Sequence, residues 1–84
     1  MKTEKYLEPV IDSRKSFYKK AVVITEGARK VLRSYNTNVA EINGREVTIH
    51  GFYSSTTLRH IKDFLYQNGF EIGTKAQLEK MYCE

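Results

Sequence analysis

The chain has one cysteine, one proline and no apolar run that approaches the length of a membrane span. Cys83 has no partner within the chain, so an internal disulfide is excluded, which fits a reducing compartment or indifference to redox. A spanning helix needs about 20 consecutive apolar residues, so no membrane partner is expected. Met1 to Pro9 mixes Lys, Glu and Tyr and lacks the apolar stretch of a signal peptide, so the expected location is cytoplasmic. The phosphate-cradling patterns GxxxxGKS/T and GxGxxG are also missing, as are the GxSxG elbow and any CxxC or HxxxH spacing. These absences weigh against nucleotide hydrolysis, serine-hydrolase chemistry and a zinc site.

Only His50, His60 and Cys83 could be soft metal ligands, and their spacing fits no familiar metal pattern. The expectation is two solvated histidines, no metal and no cofactor. His60 and Asp63 are three apart and would share a helix face, where a surface hydrogen bond is the ordinary reading. No nucleophile, base and orienting acid stand together, so the chain is expected not to be an enzyme. With 84 residues it forms one domain with one modest core. Domains of that size have little room for a deep cleft and more often bind than catalyse.

The net charge is +4 and is unevenly spread. Residues 1–20 hold six basic and three acidic residues, whereas residues 53–84 hold four of each. A short basic segment attracts phosphates or an acidic protein surface, and it also serves solubility.

Along the chain, residues 1–15 lack periodicity and are read as an irregular arm, with Tyr6, Leu7 and Val10 available to pin it to the core. The single domain occupies residues 16–84. Lys20–Thr25 and Lys30–Tyr35 are rich in β-branched residues, with Glu26-Gly27 breaking them. Asn36-Thr37-Asn38 is a second break before Val39–Ile42. Asn43-Gly44 is a strong hairpin signal, because a type I′ turn needs positive φ at both central positions. Glu46–His50 then alternates, with Val47 and Ile49 on one face. The pattern predicts an α+β fold: an antiparallel meander of about four strands with one main helix on one face and a short C-terminal helix.

The main helix is marked by Ser54, Ser55 and Thr56 as cap candidates, and by Leu58, Ile61, Phe64 and Leu65 at helical spacing. Asn68-Gly69 supplies its stop, and Phe70 the contact that accompanies such a stop. Thr74 and Gln77 form a capping box for the last helix, from which Leu78, Met81 and Tyr82 would face inward.

Ser16–Ala21, Leu32–Ala40 and Tyr53–Phe70 resemble a family of small uncharacterised proteins encoded by phages, plasmids and chromosomes of low-GC Gram-positive bacteria. The resemblance covers roughly Asp12 to Phe70 and leaves the arm and last helix unmatched. It carries over no catalytic role. It implies a mobile-element accessory protein acting on host components or nucleic acid.

Two groups of residues could bind. Arg59 and His60 lie in the first helical turn, where the dipole disfavours cations, beside the hydroxyls of Ser55, Thr56 and Thr57. Amides, hydroxyls and a guanidinium together describe an anion or phosphate site. The alternative is that Arg59 lays its stem over Phe52 or Tyr53 and points into water. The second group is Tyr18, Arg33, Tyr35 and Tyr53, with the basic residues Arg14, Lys15, Lys19 and Lys20. Exposed tyrosine and arginine can stack bases, although the chain lacks an RNP-like Gly-Phe-Gly-Phe run. Packing at the rim of the core is the alternative. A helix–turn–helix is disfavoured by the neutral charge of the C-terminal half.

Two functional expectations follow. The first is a non-enzymatic module that binds a protein partner and modulates a host protein. The second is a nucleic-acid-binding module built on the basic segment and the helix anion site. Two unpaired sheet edges would also allow a homodimer.

Overall fold

The computed structural model describes residues 2–13, 16, 17 and 19–82. Among these described residues, five strands and two helices run in the order β1 (Lys2–Tyr6), β2 (Ala21–Glu26), β3 (Arg29–Ser34), β4 (Thr37–Asn43), β5 (Glu46–Ile49), α1 (Ser55–Gln67) and α2 (Lys75–Tyr82). The strands form one antiparallel meander in sequence order, which leaves β1 and β5 as its edges. The fold is therefore α+β with five strands rather than four.

The extra strand comes from the segment expected to be an irregular arm. Lys2–Tyr6 pairs residue for residue with Val22–Glu26. All five of its side chains are exposed, so it carries no burial signal, and its lysines discourage further pairing at that edge. Of the three residues expected to pin the arm, only Leu7 is buried; Tyr6 and Val10 face solvent.

Directly paired residues of an antiparallel sheet share a face. Val23, Leu32, Ala40 and Ile49 form one such row, and all of them contribute to the core. Ile61, Phe64 and Leu65 of α1 and Leu78 of α2 complete it, all fully buried. Burial of each such side chain is worth about 1.5–3 kcal/mol. A bulge at Leu32/Arg33 leaves Val39 between Asn38 and Ala40 without a β3 partner, and both Val39 and Ala40 join the core. The opposite face carries the row Tyr6, Val22, Arg33 and Asn38, and no helix of the described residues covers it.

The turns depart from the sequence expectation. Asn43 stays in the ladder, paired with both Arg29 and Glu46, so the central residues of the last hairpin are Gly44 and Arg45. Only Gly44 has positive φ there, the pattern of a II′ rather than a I′ turn. The I′ pattern belongs to Tyr35-Asn36, at φ 51° and 76°, while Thr37 and Asn38 are part of β4.

Both helix starts follow the expectation closely. Ser54 caps α1 and accepts from the Thr57 amide at 3.2 Å. At the other end, Phe70 and Gly69 donate to the carbonyls of Leu65 and Tyr66, the Schellman pattern, with Gly69 at φ 83°. In α2, Thr74 and Gln77 exchange the two capping-box bonds, at 2.8 and 3.3 Å. Met81, expected inward, is exposed, and Tyr82 is half-buried. Burial, then the Glu71 carboxylate, raises the Tyr82 hydroxyl above its ordinary pKa.

Helix α1 buries more than its apolar stripe. Thr57, His60 and Asp63 are buried as well, because β3 and the segment after β1 cover its two flanks. Asp63 Oδ1 accepts from the amides of Val10 and Ile11 at 2.7 and 3.2 Å and from Gln67 Nε2 at 3.1 Å. Gln67 also donates to the Glu8 carbonyl at 2.8 Å. This clasp holds residues 8–11 against the helix and sets the direction of β1.

Asp63→Ala would leave two part-buried amides without their acceptor, at a cost of about 1–3 kcal/mol. Urea unfolding should register that loss, and amide exchange at Val10 and Ile11 should accelerate first. Unchanged exchange at those two amides would show that the Asp63 bonds do not hold the segment, leaving Leu7 and the Gln67–Glu8 bond to do so.

Candidate functional site

The expected anion site at the start of α1 is not assembled on one exposed surface. The Thr57 amide is already taken by the Ser54 cap, and the Thr57 hydroxyl is turned inward to Ser34 Oγ at 3.1 Å. His60, expected in solvent, is fully buried and bonded through Nδ1 to Ser34 Oγ at 2.8 Å. It does not meet Asp63, which faces the opposite flank. Arg59 reaches Asp12 at 3.4 Å across the surface. Ser55 is exposed and Thr56 half-buried. With Ser54 as the cap, Arg59 and His60 are the fifth and sixth residues of α1, so they lie in its second turn rather than its first, away from the free amides. The burial of His60 has no sequence signal apart from the serine that ends β3.

The second group fares differently. Arg14, Lys15 and Tyr18 lie outside the described residues. Lys19, Lys20, Arg33 and Tyr35 come together at one corner of the sheet, with Tyr6, Val22 and Asn36, around a cavity of about 350 Å³. Tyr53 does not join them; it lines a separate cavity of about 250 Å³ with Phe52, Leu58 and Lys75.

The corner is built by register and by turns. Tyr6 pairs with Val22, and Val22 with Arg33, so three neighbouring strands present one row to the open face. Lys19, Tyr35 and Asn36 all have positive φ, at 64°, 51° and 76°. A bulky residue in that region is strained by about 1–3 kcal/mol, and such strain collects at functional positions. The backbone is fixed by Lys20 N to the Phe17 carbonyl and Tyr35 N to the Lys20 carbonyl, both 2.9 Å. These bonds tie the segment before β2 to the β3–β4 turn.

Three cations and two tyrosines line the cavity. Tyr6 is 55% exposed and Tyr35 49% exposed. Lys19 Nζ stands 5.7 Å from the Tyr6 ring centroid, a cation–π distance. Arg33 pairs with Glu4 at 3.0 Å, but both ends are well exposed, so solvent screens the pair and leaves it easy to exchange. Glu4 lies in the adjoining cavity of about 220 Å³, which shares Tyr6, Val22 and Arg33. Chemically, the corner can hold an anion and stack a flat ring. Nothing in the sequence signals Tyr6, because the exposed edge strand that carries it has the pattern of an irregular arm, and Asn36 has the pattern of a turn.

An antiparallel sheet with helices on one face and a cationic, tyrosine-lined corner on the other defines a small α+β domain equipped with binding chemistry. The chain belongs to a family of unknown function, DUF8033, which it matches over residues 5–80. No curated protein and no solved structure matches it. No helix among the described residues is long and apolar enough to cross a membrane.

Because Arg59 and Asp12 form a partly exposed pair, Arg59→Ala should change the stability by less than about 1 kcal/mol in urea unfolding. A loss of twice that would mean that the pair is a main tether of the N-terminal segment.

Proposed function

We propose that this domain is a non-enzymatic module that binds single-stranded nucleic acid at the corner formed by Tyr6, Lys19, Lys20, Arg33 and Tyr35. The observation that carries the reading is the convergence of three cations and two half-exposed tyrosines on one cavity. Its volume lies at the low end of the range for ligand sites, about 300–1,000 Å³. Single-strand binders combine a positive groove with aromatic platforms, and each base–aromatic stack is worth about 1–3 kcal/mol. An open sheet face gives a strand room to continue past the corner.

A protein-binding surface on this domain would call for an exposed aromatic patch, for which Tyr18, Tyr35 and Tyr53 are the candidates. Tyr35 and Tyr53 line different cavities, so the geometry lends that reading less support. The helix anion site is no part of the proposal.

Fluorescence anisotropy with a labelled single-stranded oligonucleotide tests it. Three phosphate contacts give a slope of log K against log salt of about −2, so affinity should fall roughly 20-fold between 50 and 200 mM salt. Lys20→Ala should make the slope shallower by about 0.7. Tyr35→Ala should weaken binding by about 1–3 kcal/mol and leave the slope unchanged. Flat salt dependence, or no binding at 50 mM salt, would overturn the proposal.

A further inference from the structure

Tyr35 forms one wall of the cavity, yet its backbone is strained and half of its surface is exposed. Its amide bond to Lys20 fixes the main chain but not the ring. Beneath the ring lies the buried imidazole of His60, with centroids 5.8 Å apart and planes inclined by 32°. The imidazole is oriented in turn. Phe17 meets it edge-on at 4.5 Å, and Ser34 Oγ bonds to Nδ1 at 2.8 Å.

That bond is the inner end of a chain of hydroxyls. Ser34 Oγ lies 3.1 Å from Thr57 Oγ1, which in turn accepts from Ser54 Oγ, the cap of α1, at 3.3 Å. A connected series of short polar side chains thus runs from the helix start to the underside of Tyr35. A purely apolar side chain at position 60 could fill the volume but could not be locked by that series.

We propose that His60 is a positioning residue: held by Ser34, which Thr57 bonds in turn, it sets the angle at which Tyr35 presents its ring to the cavity. This rests on the reading of the corner as the ligand site. His60 itself touches no ligand, and its effect reaches the cavity only through Tyr35.

The test uses the whole chain and two readouts. Without ligand, Ser34→Ala and Thr57→Val, the second remote in sequence from Tyr35, should both shift the ring resonances of Tyr35 in an aromatic carbon–proton correlation spectrum and leave those of Tyr53 and Tyr66 in place. With a labelled single-stranded oligonucleotide, Ser34→Ala should weaken binding several-fold without altering the salt slope, since no cation is removed. In a Tyr35→Ala background the same substitution should have no further effect, because coupled residues are non-additive. If Ser34→Ala does not fold, Thr57→Val removes the next hydroxyl of the series and carries the same measurements. Unmoved Tyr35 resonances would overturn the proposal, as would an equal loss of affinity with and without the Tyr35 ring. If the natural chain binds no oligonucleotide, the nucleic-acid reading fails, and the ligand-free spectra still decide whether His60 orients Tyr35.

Discussion

Helix α1 buries three polar side chains, Thr57, His60 and Asp63, and each makes a hydrogen bond to the surface it packs against; leaving such a buried donor or acceptor unsatisfied costs about 1–3 kcal/mol. Its apolar stripe supplies the attraction through Ile61, Phe64 and Leu65. Its two flanks decide where the helix sits. On one flank His60 and Thr57 meet Ser34 at the end of β3. On the other, Asp63 takes up the amides of Val10 and Ile11. A rotation of the helix about its axis would turn the apolar stripe out of the core and break both sets of bonds, so stripe and polar flanks set the angle together.

The same two flanks build the corner. The Asp63 clasp fixes the segment leading out of β1, so that Tyr6 falls opposite Val22. The Ser34–His60 contact fixes the end of β3, so that Tyr35 falls above the imidazole. Between them the Lys20 amide bonds to the Phe17 carbonyl, and Lys19 and Lys20 stand at the cavity rim. Surface cations and tyrosines are thus placed by buried groups that do not line the cavity.

Much of this fold is legible in the chain. The Thr74–Gln77 box, the Asn68-Gly69 stop and the central strands announce themselves, because each depends on local backbone needs that few residues meet. What is not legible depends on distant partners. Lys2–Tyr6 alternates charge with no apolar face, and only pairing with β2 makes it a strand. Asn43-Gly44 has the composition of a I′ turn, yet the ladder holds Asn43, and the register puts the I′ turn on Tyr35-Asn36 at a cost in strain. His60 and Asp63 look like surface residues of an amphipathic helix until both flanks are covered. Of the candidate binding residues, the charge and tyrosine pattern picked out Lys19, Lys20, Arg33 and Tyr35, but gave no means of separating them from Tyr53.

The most direct measurement is a backbone amide titration by nuclear magnetic resonance, adding a short single-stranded oligonucleotide at low salt. The account predicts shifts clustered at Tyr6, Lys19, Lys20, Arg33, Tyr35 and Asn36, with Tyr53 and Arg59 undisturbed. Shifts centred on residues 53–59, or none anywhere, would contradict it.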